Sequence, residues 1–244
     1  MVLLKAEHIT KRFGDKVIIK DINIELNRGE LVSLLGVSGS GKTTLFNVLS
    51  GLVRPEEGHV TINGEDMTGK PGCISYMMQK DLLMVHKKII DNVSLPLVLK
   101  GIDKKSARQK ADSLFEEFGL DGTQYLYPVQ LSGGMRQRAA LLRTYLSSGG
   151  AALLDEPFSA LDAITKSAIH RWYLDVMQKI DLSTLFITHD IDEAILLSDR
   201  IYILNGKPGQ IRDEILIKEK KPRPEDFYLT ESFLHYKRQI IKRL

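Results

Sequence analysis

With 244 residues, 43% of them hydrophobic and 27% charged, the chain is ordinary globular material, long enough for one large α/β domain or two small ones. Its 34 Lys and Arg against 31 Asp and Glu leave a net charge of +3, which demands no nucleic-acid partner and would not repel a small anion. One cysteine, Cys73, excludes an intrachain disulfide, suits a reducing compartment and reads as a buried structural thiol.

The N-terminal residues Met1 to His8 hold no basic stretch followed by a long apolar one, so no secretory signal is expected. Nowhere do about 18 apolar residues run uninterrupted, as a membrane span requires. Alternation in Leu4–Ile9 and in Asp21–Leu26 has the two-residue period of half-buried strands, with Gly14-Asp15 as the turn between them. Leu31–Leu35 is an apolar strand that runs into a glycine-rich loop. His59–Ile62 followed by Asn63-Gly64 predicts a strand ending in a tight hairpin. An antiparallel sheet beside a phosphate-binding core is the expected opening.

From about Asp91 to Ser147 the pattern is helical. Ala107–Phe118 places apolar residues at 111, 114, 115 and 118 on one helix face, and Gly119 is the expected C-cap. Two strands of the buried type follow, Ala151–Leu154 and Thr184–Ile187, with a long helical pattern between them, which implies a parallel sheet. Lys218–Lys221 and Pro222-Arg223-Pro224 read as an exposed linker. Beyond it, Phe233, Tyr236, Ile240 and Leu244 fall on one helical stripe.

The chemistry begins at Gly36-Val37-Ser38-Gly39-Ser40-Gly41-Lys42-Thr43, which fits the G-x-x-x-x-G-K-[ST] phosphate loop between a strand and a helix. Glycines let backbone N–H groups curl around phosphate oxygens, and the helix that follows adds its positive end. In that motif Lys42 reaches the β- and γ-phosphates, the Thr43 hydroxyl ligates Mg²⁺, and Thr44 adds an α-phosphate contact. Four constrained positions recur by chance in a chain of this length with odds on the order of 1%. Nucleotide binding is therefore expected.

Leu131-Ser132-Gly133-Gly134-Met135-Arg136-Gln137-Arg138 narrows the class. A serine and two glycines opening a helix present a hydroxyl and bare amides to an anion. Here the chain resembles the ATP-binding subunits of ABC transporters, whose diagnostic motif is LSGGQ, with Met135 standing where Gln is commonest. Further matches follow the family's order. Ala151-Ala152-Leu153-Leu154-Asp155-Glu156-Pro157 resembles its Walker B strand, where Asp155 holds Mg²⁺ and Glu156 polarises the attacking water. Gln79 stands at the Q-loop position, which senses γ-phosphate and metal. Ser159-Ala160-Leu161-Asp162 resembles the D-loop at the dimer interface, and Thr188-His189-Asp190 carries the switch histidine. Phe13 occupies the place of the aromatic that stacks on adenine; a core phenylalanine is the competing reading. His8, His59, His86, His170 and His235 have no such context and read as structural or surface groups, and no metal cluster is indicated beyond nucleotide-bound Mg²⁺.

The resemblance covers the chain from about Leu3 to Ile211. It implies an α/β P-loop NTPase with a RecA-like core, an antiparallel β subdomain and an inserted α-helical subdomain. The expected divisions are an ATP-binding domain over 1–217, its helical part at about 85–147, and a linker with an amphipathic helix over 218–244. Two copies would sandwich two ATP molecules, with Ser132, Gly133 and Gly134 of one closing over ATP on the phosphate loop of the other. A separate transmembrane permease would form the pore, fed by an extracytoplasmic solute-binding protein, with this chain peripheral on the cytoplasmic face. The residues around Gln79, Asp91, Lys207-Pro208-Gly209 and Pro222-Arg223-Pro224 resemble importers of the nitrate, sulfonate and taurine group, which also take up some vitamin precursors. Many of that group carry Pro-Trp where this chain has Val85-His86 before Lys87-Lys88, on the surface that faces the permease. A cytosolic ABC ATPase outside transport is the alternative.

Overall fold

The computed structural model describes residues 1–159, 163–180, 182–224 and 226–244, and at 163–167 and 178 the backbone alone. Its first two strands, β1 (Val2–Phe13) and β2 (Lys16–Asn27), pair antiparallel, with Leu4 opposite Leu26 and Ala6 opposite Ile24, so that the alternation turns one apolar row inward. The pairing is interrupted where His8 and Asp21 both adopt positive φ, and there the imidazole meets the Asp21 carboxylate at 2.8 Å. After β3 (Leu31–Gly36) and α1 (Lys42–Leu49), the strands β4 (Glu57–Ile62) and β5 (Glu65–Asp66) complete this sheet in the order β2-β1-β4-β5. Asn63 and Gly64 both have positive φ, as a two-residue hairpin requires.

The second sheet joins β6 (Ser75–Met77), β7 (Ala151–Asp155), β8 (Ser183–Thr188), β9 (Arg200–Asn205) and β10 (Gln210–Leu216) to β3, in the order β10-β9-β3-β8-β7-β6. All neighbours in it run parallel except β9 and β10. The central strands β3, β7 and β8 are buried along their whole length because both faces are covered, whereas the edge strand β10 is polar and largely exposed. Leu153 and Leu185 pack with Leu45, Phe46 and the antiparallel sheet, so α1 lies between the two sheets. Leu154 and Phe186 face the helices on the other side.

Those helices are α2 (Ile89–Leu99), α3 (Lys104–Asp112), α4 (Gly133–Ser147) and α5 (Ala163–Lys179). The first three are threaded between β6 and β7, which are adjacent in the sheet. The regular helix of the 107–118 segment ends at Asp112, earlier than its apolar spacing predicts. There the Ser113 hydroxyl donates to the Lys110 carbonyl, and the bonds Leu114 N to Ala111 O and Phe115 N to Asp112 O tighten the chain into turns. The apolar face survives the change, since Ala111, Phe115 and Phe118 are fully buried. Gly119, at positive φ, closes the segment with bonds from Leu120 N to Phe115 O and from Gly119 N to Glu116 O.

Two expectations are corrected. Cys73 is exposed, because it lies in the turn that precedes β6 rather than in the strand itself. The segment 218–224 is exposed at Lys218, Lys220, Pro222 and Pro224 as expected, but it is anchored rather than loose: Arg223 is buried, and Lys221 pairs with Asp199 at 2.6 Å. Beyond it, α7 (Glu231–Ile241) buries Phe233, Tyr236 and Ile240 against Ala194 and Ile195 of α6 (Ile191–Leu197) and against β9. Among the described residues, no helix is long and apolar enough to cross a membrane.

The helical layer is held by large buried rings. Phe118 is fully buried, edge-on to Trp172 at 6.1 Å and close to Tyr145 at 5.9 Å. Phe118→Ala is expected to cost about 3–5 kcal/mol, measured as a fall in the urea midpoint at unchanged slope.

Candidate functional site

Parallel pairing brings the carboxyl ends of four strands to one edge of the sheet. Leu35 lies opposite Thr188, Asp155 opposite Ile187, and Met77 opposite Leu154. The next residues of each strand therefore leave the sheet side by side: the 36–43 loop after β3, Gln79 after β6, Glu156 after β7 and His189 after β8. Between them opens a cleft of about 670 Å³ lined by Ser38, Gly39, Gly41, Lys42, Thr43, Thr44, Gln79, Glu156 and His189, with Ile18 and Ile187 as its apolar walls.

The loop's shape depends on missing side chains. A Cβ on Gly36 would stand 2.3 Å from the Leu204 carbonyl oxygen, and one on Gly41, at φ 100°, would strike the Ile19 side chain at 2.5 Å. Behind the loop, the turn between β9 and β10 presses in so closely that a Cβ on Gly209 would meet the Ser40 carbonyl oxygen at 2.0 Å. Gly209 also donates to Ile18 O and accepts from Lys20 N, which ties that turn to β2. Within the curl, the Lys42 ammonium donates to the carbonyls of Gly36 at 2.8 Å and Val37 at 3.0 Å. Burial lowers the Lys42 pKa, against the opposing pull of Glu156 and Asp155.

The acidic pair is held from several sides. Asp155 is buried at the end of β7, and its Oδ2 faces the Thr43 hydroxyl at 3.5 Å and the Tyr76 hydroxyl at 3.3 Å. Glu156 adopts φ 47°, a left-handed conformation uncommon for a residue with a side chain, while its N–H donates to Ile187 O. That turn aims its carboxylate between two neighbours: Gln79 Nε2 donates to Oε2 at 3.1 Å, and His189 Nδ1 lies 3.3 Å from Oε1. Carboxylate, hydroxyl and amide oxygens of Asp155, Thr43 and Gln79 make a donor set suited to a hard cation such as Mg²⁺.

The other expected residues stand elsewhere. Phe13, 54% exposed at the end of β1, lies outside the cleft lining with the Lys11 ammonium 5.3 Å from its ring centre. The core reading of that ring is thereby removed. Ser132 caps α4, accepting from Met135 N at 3.3 Å, and Ser132 and Gly133 are exposed while Gly134 is half-buried. Those three residues do not line the Lys42 cleft; Gly133 borders a neighbouring cleft of about 430 Å³ that shares Gln79. Asp162, with Ala160 and Leu161, lies outside the described residues.

Some supporting groups have no motif to announce them. Tyr76 holds Asp155, and burial pushes its phenol well above the ordinary range. Arg136 reaches Asp81 Oδ2 at 3.2 Å, and Arg143 donates to the carbonyls of Asp81 and Leu82, so α4 grips the chain just after Gln79. The buried Asn92 amide bonds Met84, Lys87 and Lys88 backbone groups and fixes the next stretch. Tyr76 and Asn92 fall in the stretches around Gln79 and Asp91, and Arg136 in the Ser132 stretch, but none of their bonds is written there; Arg143 lies outside every motif.

Comparison with known proteins gives the chain's family and fold relatives. The ABC transporter family model matches residues 19–159. The chain is 46% identical over 207 residues to a formylaminopyrimidine import ATP-binding protein of Halalkalibacterium halodurans, covering 84% of this chain and 81% of that one. It is 35% identical to an aliphatic sulfonates import ATP-binding protein of Bacillus cereus, over 98% of this chain and 92% of the relative. A dimeric post-hydrolysis state of an ATP-binding cassette bound to ADP and Pi superposes with a TM-score of 0.75 at 28% identity, covering 89% of this chain and all of that one.

Burial holds the Asp155 carboxyl above its ordinary pKa, and Glu156 adds to the rise against hydrogen bonds from Tyr76 and Thr43. The folded chain thus binds that proton more tightly than the unfolded chain. Asp155 costs no stability below about pH 4, and its cost grows as pH rises through the unfolded and then the folded pKa. Asp155→Asn is expected to melt higher than wild type at pH 7, with the gain vanishing below about pH 4; thermal melts across that range check it.

Proposed function

The chain belongs to the ABC transporter family as an ATP-binding and ATP-hydrolysing subunit of the importer type, and we propose the following division of labour among its residues. The observation that carries it is the Glu156 carboxylate held between Gln79 and His189 at the mouth of the Lys42 loop. Lys42 and the loop amides from Gly36 to Thr44 bind the phosphates, exchanging the Lys42 bonds to Gly36 and Val37 for phosphate oxygens. Glu156 takes the proton of the attacking water, a role worth about 10²–10⁴ in rate. Gln79 orients that water, and His189 donates a hydrogen bond to the γ-phosphate as charge develops. Thr43, Gln79 and Asp155 would hold Mg²⁺, which when bound neutralises charge on the phosphates.

The exposed start of α4 supports a second assignment. Ser132, Gly133 and Gly134 present a capped helix start to solvent, away from their own chain's Lys42 cleft, and close over ATP held by a second copy. ATP then links two protomers, with Asp162 at the interface, and association depends on occupancy. Phe13, exposed beside the hairpin, stacks on the adenine. The dimer works peripherally on the cytoplasmic face of a membrane, docked on a transmembrane permease that an extracytoplasmic solute-binding protein supplies. Its cargo is a small solute of the vitamin-precursor, sulfonate or nitrate kind; the formylaminopyrimidine and aliphatic sulfonates import proteins named above support uptake of a small organic solute.

Glu156→Gln keeps the phosphate contacts and removes the proton acceptor. It is expected to bind ATP, lose at least about 100-fold in ATPase rate and elute as a dimer with ATP on size exclusion. A variant that binds ATP and stays monomeric contradicts the sandwich. Lys42→Ala is expected instead to lose ATP affinity, read by equilibrium binding of a fluorescent ATP analogue.

A further inference from the structure

The helix that begins two residues after His189 is short and is gripped by the C-terminal segment. Seven residues long, α6 spans about 10 Å, so a displacement at its far end is felt at its start. At its N-terminus Asp190 caps it, accepting from Asp192 N and Glu193 N, and Asp190 N donates to Thr188 Oγ1 at the end of β8. At its C-terminus the Arg223 guanidinium donates to Leu196 O and Ser198 O, both at 2.7 Å. Arg223 is 9% exposed, and its guanidinium lies 5.7 Å from the Phe227 ring centre. A buried cation on the last carbonyls of a helix satisfies acceptors that have no intrahelical partner and opposes the helix dipole. Next to it, Lys221 pairs with Asp199, whose carboxylate also accepts from Leu31 N at the start of β3. On the side of α6, Lys237 of α7 meets Asp192 at 2.6 Å, while Phe227, Phe233, Tyr236 and Ile240 pack with Ala194 and Ile195.

We propose that Arg223 is a positioning residue for ATP hydrolysis: with Lys237 it fixes α6 between β3 and α7, and so holds His189 against Glu156. The segment 218–244 is thus a brace on the switch histidine rather than an appendage. None of its described residues lines the Lys42 cleft, so it acts through α6 and leaves nucleotide contacts untouched. The inference rests on the role given to His189 above, and the test separates the two.

Steady-state ATPase is measured on the full chain for wild type, Arg223→Met, Arg223→Lys, His189→Ala and Arg223→Met with His189→Ala. Arg223→Met is expected to lower kcat about tenfold and to leave KM for ATP within about twofold. Arg223→Lys, which keeps the charge but reaches fewer carbonyls, recovers part of the loss. With His189→Ala already present, Arg223→Met is expected to add no further loss, because the group it positions is gone. Equal losses in both backgrounds, or a rise in KM at unchanged kcat, overturn the proposal. Should Arg223→Met melt below the assay temperature, Lys237→Met, at a half-buried surface pair, replaces it in the same comparison, and the same outcomes support or overturn the proposal. His189→Ala with wild-type kcat instead removes the role of His189 itself.

Discussion

Hydrogen-bond register in the parallel sheet brings the Lys42 loop, Gln79, Glu156 and His189 to one edge. Because Leu35 faces Thr188 and Asp155 faces Ile187, one residue of slippage in any of these strands would move its functional side chain by a full pleat and turn it to the other face. That register is in turn held by burial on both faces. Leu153 and Leu185 are locked under α1, and Leu154 and Phe186 under the helices. The two hydrophobic layers thus serve as the alignment device for a polar site that contributes little to its own placement.

The cost of that site is electrostatic and conformational. Two adjacent carboxylates and an ammonium are gathered at the buried end of β7, and burial shifts Asp155 and Lys42 toward their neutral forms. Glu156 adds a left-handed backbone. Charged phosphates would meet a Lys42 ammonium that is already buried, which strengthens that contact and reduces the reorganisation left to the chemical step. Arg136 and Arg143 extend this order outward, since they hold the Asp81-Leu82 backbone against α4 and couple the stretch after Gln79 to the exposed Ser132 helix.

The site was far more legible than its supports. Gly36 to Thr43 has to be glycine-rich and followed by a helix, and Asp155-Glu156 has to end a buried strand, so fixed spacing betrays both. Tyr76 and Arg143 act across the fold on partners that have no fixed sequence offset, whereas Asn92 bonds backbone groups four to eight residues before it, in an irregular stretch that no helix or strand period describes. The charge run Lys218–Lys221 marked an exposed stretch correctly at Lys218 and Lys220, but composition describes the solvation of a segment, not the identity of one buried arginine beside it. Cys73 misled for the opposite reason: its type favours burial, but its position before the short β6 leaves it outside. Helix periodicity at 107–118 identified the buried face correctly and the hydrogen-bonding pattern incorrectly, since turns and helix share that face over so short a span.

Gly209 carries one more consequence. It sits in a surface turn, touches no cleft residue through a side chain, and would pass as a harmless place for a label or an inserted epitope. Yet the turn bears on the back of the Ser40 carbonyl with no room for a single methyl group. The nucleotide loop therefore has a rear wall as well as a mouth, and a library of substitutions at this turn would be sorted by side-chain volume before any other property.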